Sequence, residues 1–170
     1  TGLWSNKSTK KPAKPTAKKL IKSGEGQKVE FKSSFQWCYD NSQKDGELVH
    51  DVVRAICGML NSGGGNVFVG VDDSGTVLEL ANDLRLYNNN EDKFDTGLLK
   101  KMKNQFSPPK AFTTCVRPIP EKNKKGTLQY YHFEIDGYHQ DVKQKKYRSK
   151  KKDVIWIRHG KRTEDLNDSS

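Results

Sequence analysis

The run from residue 47 to residue 71 constrains this chain more than any other part of its 170 residues. Leu48, Val49, Val52, Val53, Ile56, Cys57 and Leu60 recur with a 3.6-residue period, which predicts a helix over 47–60 with one apolar face. Asn61-Ser62-Gly63-Gly64-Gly65 ends it, because glycine adopts the left-handed backbone that closes a helix. The apolar run from Val67 to Val71 then reads as a buried strand, and Asp72-Asp73-Ser74-Gly75 turns it into a hairpin partner over 76–80. A helix feeding straight into a buried strand calls for a sheet with helical cover.

The other elements are placed around that pair. Val29-Glu30-Phe31-Lys32 alternates as a half-buried strand does, with Val29 and Phe31 toward the core and Glu30 and Lys32 the other way. Residues 33–46 are polar and loop-like apart from Phe35, Trp37 and Tyr39. Phe94, Leu98, Met102 and Phe106 at i+4 spacing predict a second helix over 92–105, stopped by Pro108-Pro109. Residues 112–119 and 128–135 read as paired strands, and 153–158 as a last one. The order βαββαβββ indicates an α+β class domain, with a mixed or antiparallel sheet and two main helices.

Charge is unevenly distributed. Residues 1–24 hold seven lysines and no acid. Residues 143–152 hold Lys143, Lys145, Lys146, Arg148, Lys150, Lys151 and Lys152, again with no acid. These blocks supply +14 of a net +10, so the remainder is mildly acidic at −4. Residues 1–23, with Pro12 and Pro15 among lysines, read as a disordered basic arm, 24–165 as the domain, and 166–170 as a tail. Such blocks are either solvated surface or phosphate contacts. Tyr147 within the second one favours nucleic acid, since aromatics among cations can stack on bases; Trp37 and Tyr39 are further stacking candidates.

Hydrophobic residues make up only 32% of the chain, and no apolar run approaches the length of a membrane span. Three widely spaced cysteines (Cys38, Cys57, Cys115) argue against a disulfide framework or a Cys-rich zinc site and for a reducing compartment. The expected location is cytoplasmic, with perinuclear and nuclear placement left open. The start, Thr1-Gly2-Leu3-Trp4-Ser5, lacks an initiator Met, so the sequence reads as an excised piece.

The chemistry rests on three acids. Glu25 and Glu30 flank the start of the first strand, and Asp72-Asp73 ends the central one. Three carboxylates offer the oxygen ligands that Mg²⁺ or Mn²⁺ takes, and such a metal can activate water against a phosphodiester. The alternative for Glu30 is a solvated strand residue paired with Lys32, and for either aspartate a turn former; the set of three favours the functional reading of Glu30, and Asp72 is assigned to the turn. In Glu30-Phe31-Lys32 the lysine would stabilise an attacking hydroxide or touch a backbone phosphate. His132, His139 and His159 could form a metal-free acid–base pair, but their spacing fixes no common face. Gly63-Gly64-Gly65 is a turn rather than a phosphate cradle, since no Lys-Ser/Thr follows it.

GEGQKVEFK, a helix running into NSGGGNVFVGVDDSG, and VIWIRHGKRT together resemble the Schlafen-type AlbA_2 domain over residues 24–165. The resemblance implies a single Schlafen lobe and a metal-dependent endoribonuclease, with Glu25, Glu30 and Asp73 as both catalytic and metal-binding residues. RNA would be gripped by the 143–152 block together with Lys32, Arg158, Lys161 and Arg162. Vertebrate members fold two such lobes from one chain, so the resemblance also implies a second Schlafen-like lobe as partner, in a hetero-oligomer rather than a homodimer. They carry a Cys/His zinc site as well, for which this sequence shows no ligand set. Similar lobes occur in nematode subunits that trim piRNA precursors near the capped 5′ end, and the single lobe with a lysine arm is similar to those. The competing reading, drawn from the family's DNA-binding bacterial regulators, is a non-catalytic nucleic-acid-binding or scaffold lobe that completes a partner's active site.

Overall fold

The computed structural model describes residues 13–148 and 150–168. Along the chain run α1 (Ala17–Ser23), β1 (Val29–Lys32), β2 (Trp37–Cys38), β3 (Gln43–Lys44), α2 (Leu48–Leu60), β4 (Gly64–Val69), α3 (Ala81–Arg85) and α4 (Glu91–Lys103). They are followed by β5 (Phe106–Ser107), α5 (Lys110–Cys115), β6 (Val116–Lys122), β7 (Leu128–Asp136), β8 (Lys143–Gln144), β9 (Trp156–His159) and β10 (Arg162–Asp165). The central sheet has the order β1-β4-β7-β6. β1 lies parallel to β4, whereas β7 runs antiparallel to both β4 and β6, so the sheet is mixed and the class α+β. A parallel pair needs a crossover, and α2 supplies it.

Strand alternation divides the core into two layers. Val67 and Val69 of β4 and Tyr131, Phe133 and Ile135 of β7 pack under the buried face of α2. Phe68 and Tyr130 point the opposite way and join Val29 and Phe31 of β1, where Ala17, Leu20 and Ile21 of α1 cover them. With both faces covered, β4 requires an unbroken apolar run. Gly64 opens that strand at a positive φ of 91°, and a side-chain carbon there would stand 2.4 Å from the Ile135 carbonyl oxygen. Its glycine therefore permits the close approach of β4 to β7.

Several expectations require correction. Residues 17–23, assigned to a disordered arm, form α1: Thr16 caps it by accepting a hydrogen bond from the Lys19 amide at 3.3 Å, and Gly24 closes it at a φ of 83°. The apolar residues at i, i+3 and i+4 give this short helix a face to bury, with its lysines outward. Lys7, Lys10 and Lys11 lie outside the described residues. The strand expected from residue 112 begins at Val116, because α5 turns Phe112 inward to stack on Phe106 at 5.2 Å. Residues 33–46 contain the small hairpin β2–β3, α3 was not anticipated, and β9 pairs with β10 at the chain's end. The 76–80 partner strand reduces to a Val71–Val77 bridge and a bond from the Leu78 amide to the Gly70 carbonyl at 2.8 Å.

Both outer strands of the sheet are shielded. β6 carries Pro118 and Pro120, which cannot donate to an added strand. On β1 the outward Phe31 amide donates to Glu25 at 3.0 Å, and the outward Val29 carbonyl accepts from Arg158 at 3.0 Å.

Asp83 is the buried carboxylate that the fold depends on locally. Its two oxygens accept from the Phe35 and Gln36 amides at 3.2 and 2.7 Å, fixing the segment that follows β1. Burial pushes its carboxyl up to about 6, against the two amides that hold it down. A native value above the unfolded one means that the stabilisation is full below about pH 4 and is lost as pH rises through about 6. Asp83→Ala should destabilise the protein by about 2–3 kcal/mol through two orphaned buried amides. Urea unfolding should show the larger deficit at pH 4 than at pH 7; a deficit that grows with pH would contradict this.

Candidate functional site

The core under α2 contains no residue of β1, so that strand sits at the margin of the helical cover. Alternation aims Glu30 and Lys32 toward this open margin while Val29 and Phe31 go beneath α1. The Glu30 carboxylate is fixed from behind by the guanidinium of Arg158, whose side chain is only 1% exposed. Arg158 also donates to the Gly26 and Val29 carbonyls at 2.7 and 3.0 Å. On the front side Lys32 Nζ lies 3.4 Å from Glu30. Glu25 reaches the same margin from the loop before β1, and exposed Asp73 from the turn after β4. Asp72 instead accepts from the amides of Ser74 and Thr76 and the Ser74 hydroxyl, which organises that turn and holds its carboxyl low.

Glu25, Glu30, Lys32 and Asp73 line one cleft of about 440 Å³, together with Trp37 and Tyr39 from the 33–46 segment. Glu25 records the crowding of charge there. Burial is the main cause that raises its carboxyl, the Phe31 amide opposes it, and the charges of Glu30 and Asp73 raise it further. An adjoining hollow of about 410 Å³ shares Glu30, Lys32 and Asp51 with the cleft and adds Arg54, Lys161 and Arg162. The two form one groove that is acidic at one end and basic at the other. A polyanion would be attracted at the basic end and repelled at the acidic end unless a cation stands there.

The donor set fits a hard divalent cation in kind, being three carboxylates whose charges act on one another. It is not gathered into a finished cage: among the described residues no three His, Cys, Asp or Glu side chains stand close enough to hold a metal ion.

The remaining expected contacts divide sharply. Lys161, in the β9–β10 turn, and Arg162, which opens β10, line the basic hollow. Arg158 does not reach solvent, and its assignment to RNA gripping is corrected: its guanidinium is turned inward onto Glu30, the Thr163 hydroxyl and two backbone carbonyls. Nor do the described residues of the 143–152 block line either part of the groove. Arg148 pairs with Asp51 at 2.6 Å, and Lys150 with Asp165 and Asp168 at 3.0 and 3.5 Å. Lys143 lies in β8, and Lys145, Lys146, Lys151 and Lys152 are exposed. Tyr147 bonds Asp51, meets Trp156 at a near-perpendicular ring angle and has the Arg148 guanidinium 5.3 Å from its ring centre, so it is tied into the fold rather than into the groove. The histidines do not converge: His132 stacks on Phe68 on the α1 side, while exposed His159 is 3.6 Å from Glu164.

Arg54 was missed. It stands on the flank of α2, bonds the Thr163 carbonyl, and lies 4.6 Å over the Trp156 ring. The signal available was a cation beside the apolar stripe of the strongest helix, a position that borders the core without entering it.

No helix among the described residues is long and apolar enough to cross a membrane. A search of curated proteins found no match to this chain. A family model described as Schlafen, AlbA_2 matches residues 25–167, a span that takes in all three acids, β1, β4 and the C-terminal hairpin. That match covers most of the chain and agrees with its α+β architecture: the protein belongs to the Schlafen AlbA_2 family, a nuclease-associated group whose functions are nucleic-acid-related.

Proposed function

We propose that the groove hydrolyses RNA phosphodiesters with Mg²⁺ or Mn²⁺ held by Glu25, Glu30 and Asp73. The observation that carries this reading is that acids from three separate segments face one cleft, where burial raises the Glu25 carboxyl and the charges of Glu30 and Asp73 raise it further. A bound divalent cation would supply an activated water and stabilise the leaving oxygen. The chain's own residues do the rest. Arg158 acts as a positioning residue, because its buried guanidinium pairs with Glu30 and holds it in one orientation. Lys32 sets a positive charge beside that carboxylate, where a phosphate oxygen would be received. Lys161, Arg162 and Arg54 hold the backbone without reading sequence, and Trp37 and Tyr39 give faces for an unpaired base.

Removing Glu30 outright would leave Arg158 buried without its partner, so the informative variants are isosteric. Glu25→Gln and Asp73→Asn should each slow cleavage of labelled RNA by more than about 100-fold, beyond the loss of a merely supporting contact. RNA affinity should stay within about threefold, less than the 1.4 kcal/mol of a tenfold change. Mn²⁺ should also raise the melting temperature of the wild type more than that of Asp73→Asn, a readout independent of turnover. Wild-type cleavage rates in both variants would sink the metal centre.

Phosphate contact is assigned to the hollow rather than to the 143–152 block. Neutralising Lys161 and Arg162 together should flatten the salt dependence of RNA binding by a slope of at most about 2, whereas Lys150→Ala should leave it unchanged. The reverse pattern would return the grip to the block.

The described residues form one lobe. A partner Schlafen-like lobe would close the groove, as a hetero-oligomer within an RNA-processing assembly of the kind that trims piRNA precursors. Light scattering of the chain with a candidate lobe should detect a complex burying at least about 1,000 Å². Full-rate cleavage by a strict monomer would exclude that requirement. A non-catalytic lobe is the second reading, favoured by the engagement of Glu30 with Arg158 and Lys32 and by the ungathered acids.

A further inference from the structure

The turn after β4 has two sides. Asp73 borders the acidic cleft, while Gly75 and Val77 border a separate groove of about 660 Å³ on the α1 side of the sheet. Ile21, Val77 and Tyr130 make its apolar floor. Val77 is 37% exposed, one of three large apolar side chains exposed among the described residues. Lys18 and Lys22 of α1 and Lys124 of the β6–β7 loop stand on its rim, with Glu121 as the carboxylate among them.

We propose that this groove docks an acidic amphipathic helix of a protein partner. Apolar anchors would remove Ile21 and Val77 from water, and acids on the flanking face would meet the three lysines. An added strand is a poor alternative, because the adjacent β6 carries Pro118 and Pro120. A phosphate backbone would satisfy the lysines and leave the apolar floor wet. The cations alone therefore do not describe the occupant; the floor and the rim together do.

The test uses the full chain and a fluorescein-labelled 15-residue probe peptide, with Leu and Phe on one helical face and Glu on the other. Its controls are a scrambled peptide of the same composition and an oligouridylate competitor. Fluorescence anisotropy should show saturable binding of the amphipathic probe. The scrambled peptide, Val77→Asp and Lys22→Glu should each weaken it by about tenfold or more. Both side chains are exposed, so melting curves of the variants should match the wild type. Absence of binding, equal affinity for the scrambled peptide, or full affinity in Val77→Asp would overturn the proposal. Displacement of the probe by oligouridylate would also overturn it and assign the surface to RNA.

Discussion

The Arg158–Glu30 pair ties the two ends of the domain together. Arg158 comes from the C-terminal hairpin and reaches Glu30, Gly26 and Val29 across 128, 132 and 129 residues of sequence. A guanidinium this deeply buried is tolerated only with its partners in place, and losing one costs about 3–5 kcal/mol. The pair serves three purposes at once. It shields the outer edge of β1, anchors the hairpin that carries Lys161 and Arg162, and sets the orientation of Glu30 in the cleft. Stability and site geometry are thus not separable at this residue.

The charge pattern of the groove follows from that arrangement. Arg158 holds Glu30 from behind, while the Glu25 carboxyl is raised chiefly by burial and further by the charges of Glu30 and Asp73. Glu25 also has a structural duty, since it accepts the outward Phe31 amide on the sheet edge. An edge cap needs a carboxylate near the strand, and a cation site needs one facing the cleft. The loop before β1 meets both demands with one residue.

Long, strongly periodic segments could be read without the structure. α2 ends at Leu60 and α4 buries Phe94, Leu98 and Met102, as the 3.6-residue stripe and the i+4 spacing require. The β6–β7 pairing was likewise visible, although its first strand starts four residues later than expected. Short elements failed for a physical reason. α1 and α5 have 7 and 6 residues, too few for their own hydrogen bonds to stabilise them, and they exist because the sheet and Phe106 offer apolar surface.

What the sequence by itself determined was the inventory: three acids at strand starts and ends, a lysine two residues after one of them, and a helix–glycine–strand unit that forces β4 into the centre. Those follow from periodicities of 2 and 3.6, which are local properties of the chain. Only the tertiary structure decided which charges are free. Arg158 and Lys161 look alike in sequence, yet one is buried against Glu30 and the other lines the basic hollow. Arg148 and Lys150 belong to a block that looks uniformly basic, and acids from α2 and the C-terminal segment neutralise them. A side chain's charge is written in the sequence; the partner that cancels it arrives only when distant segments pack together.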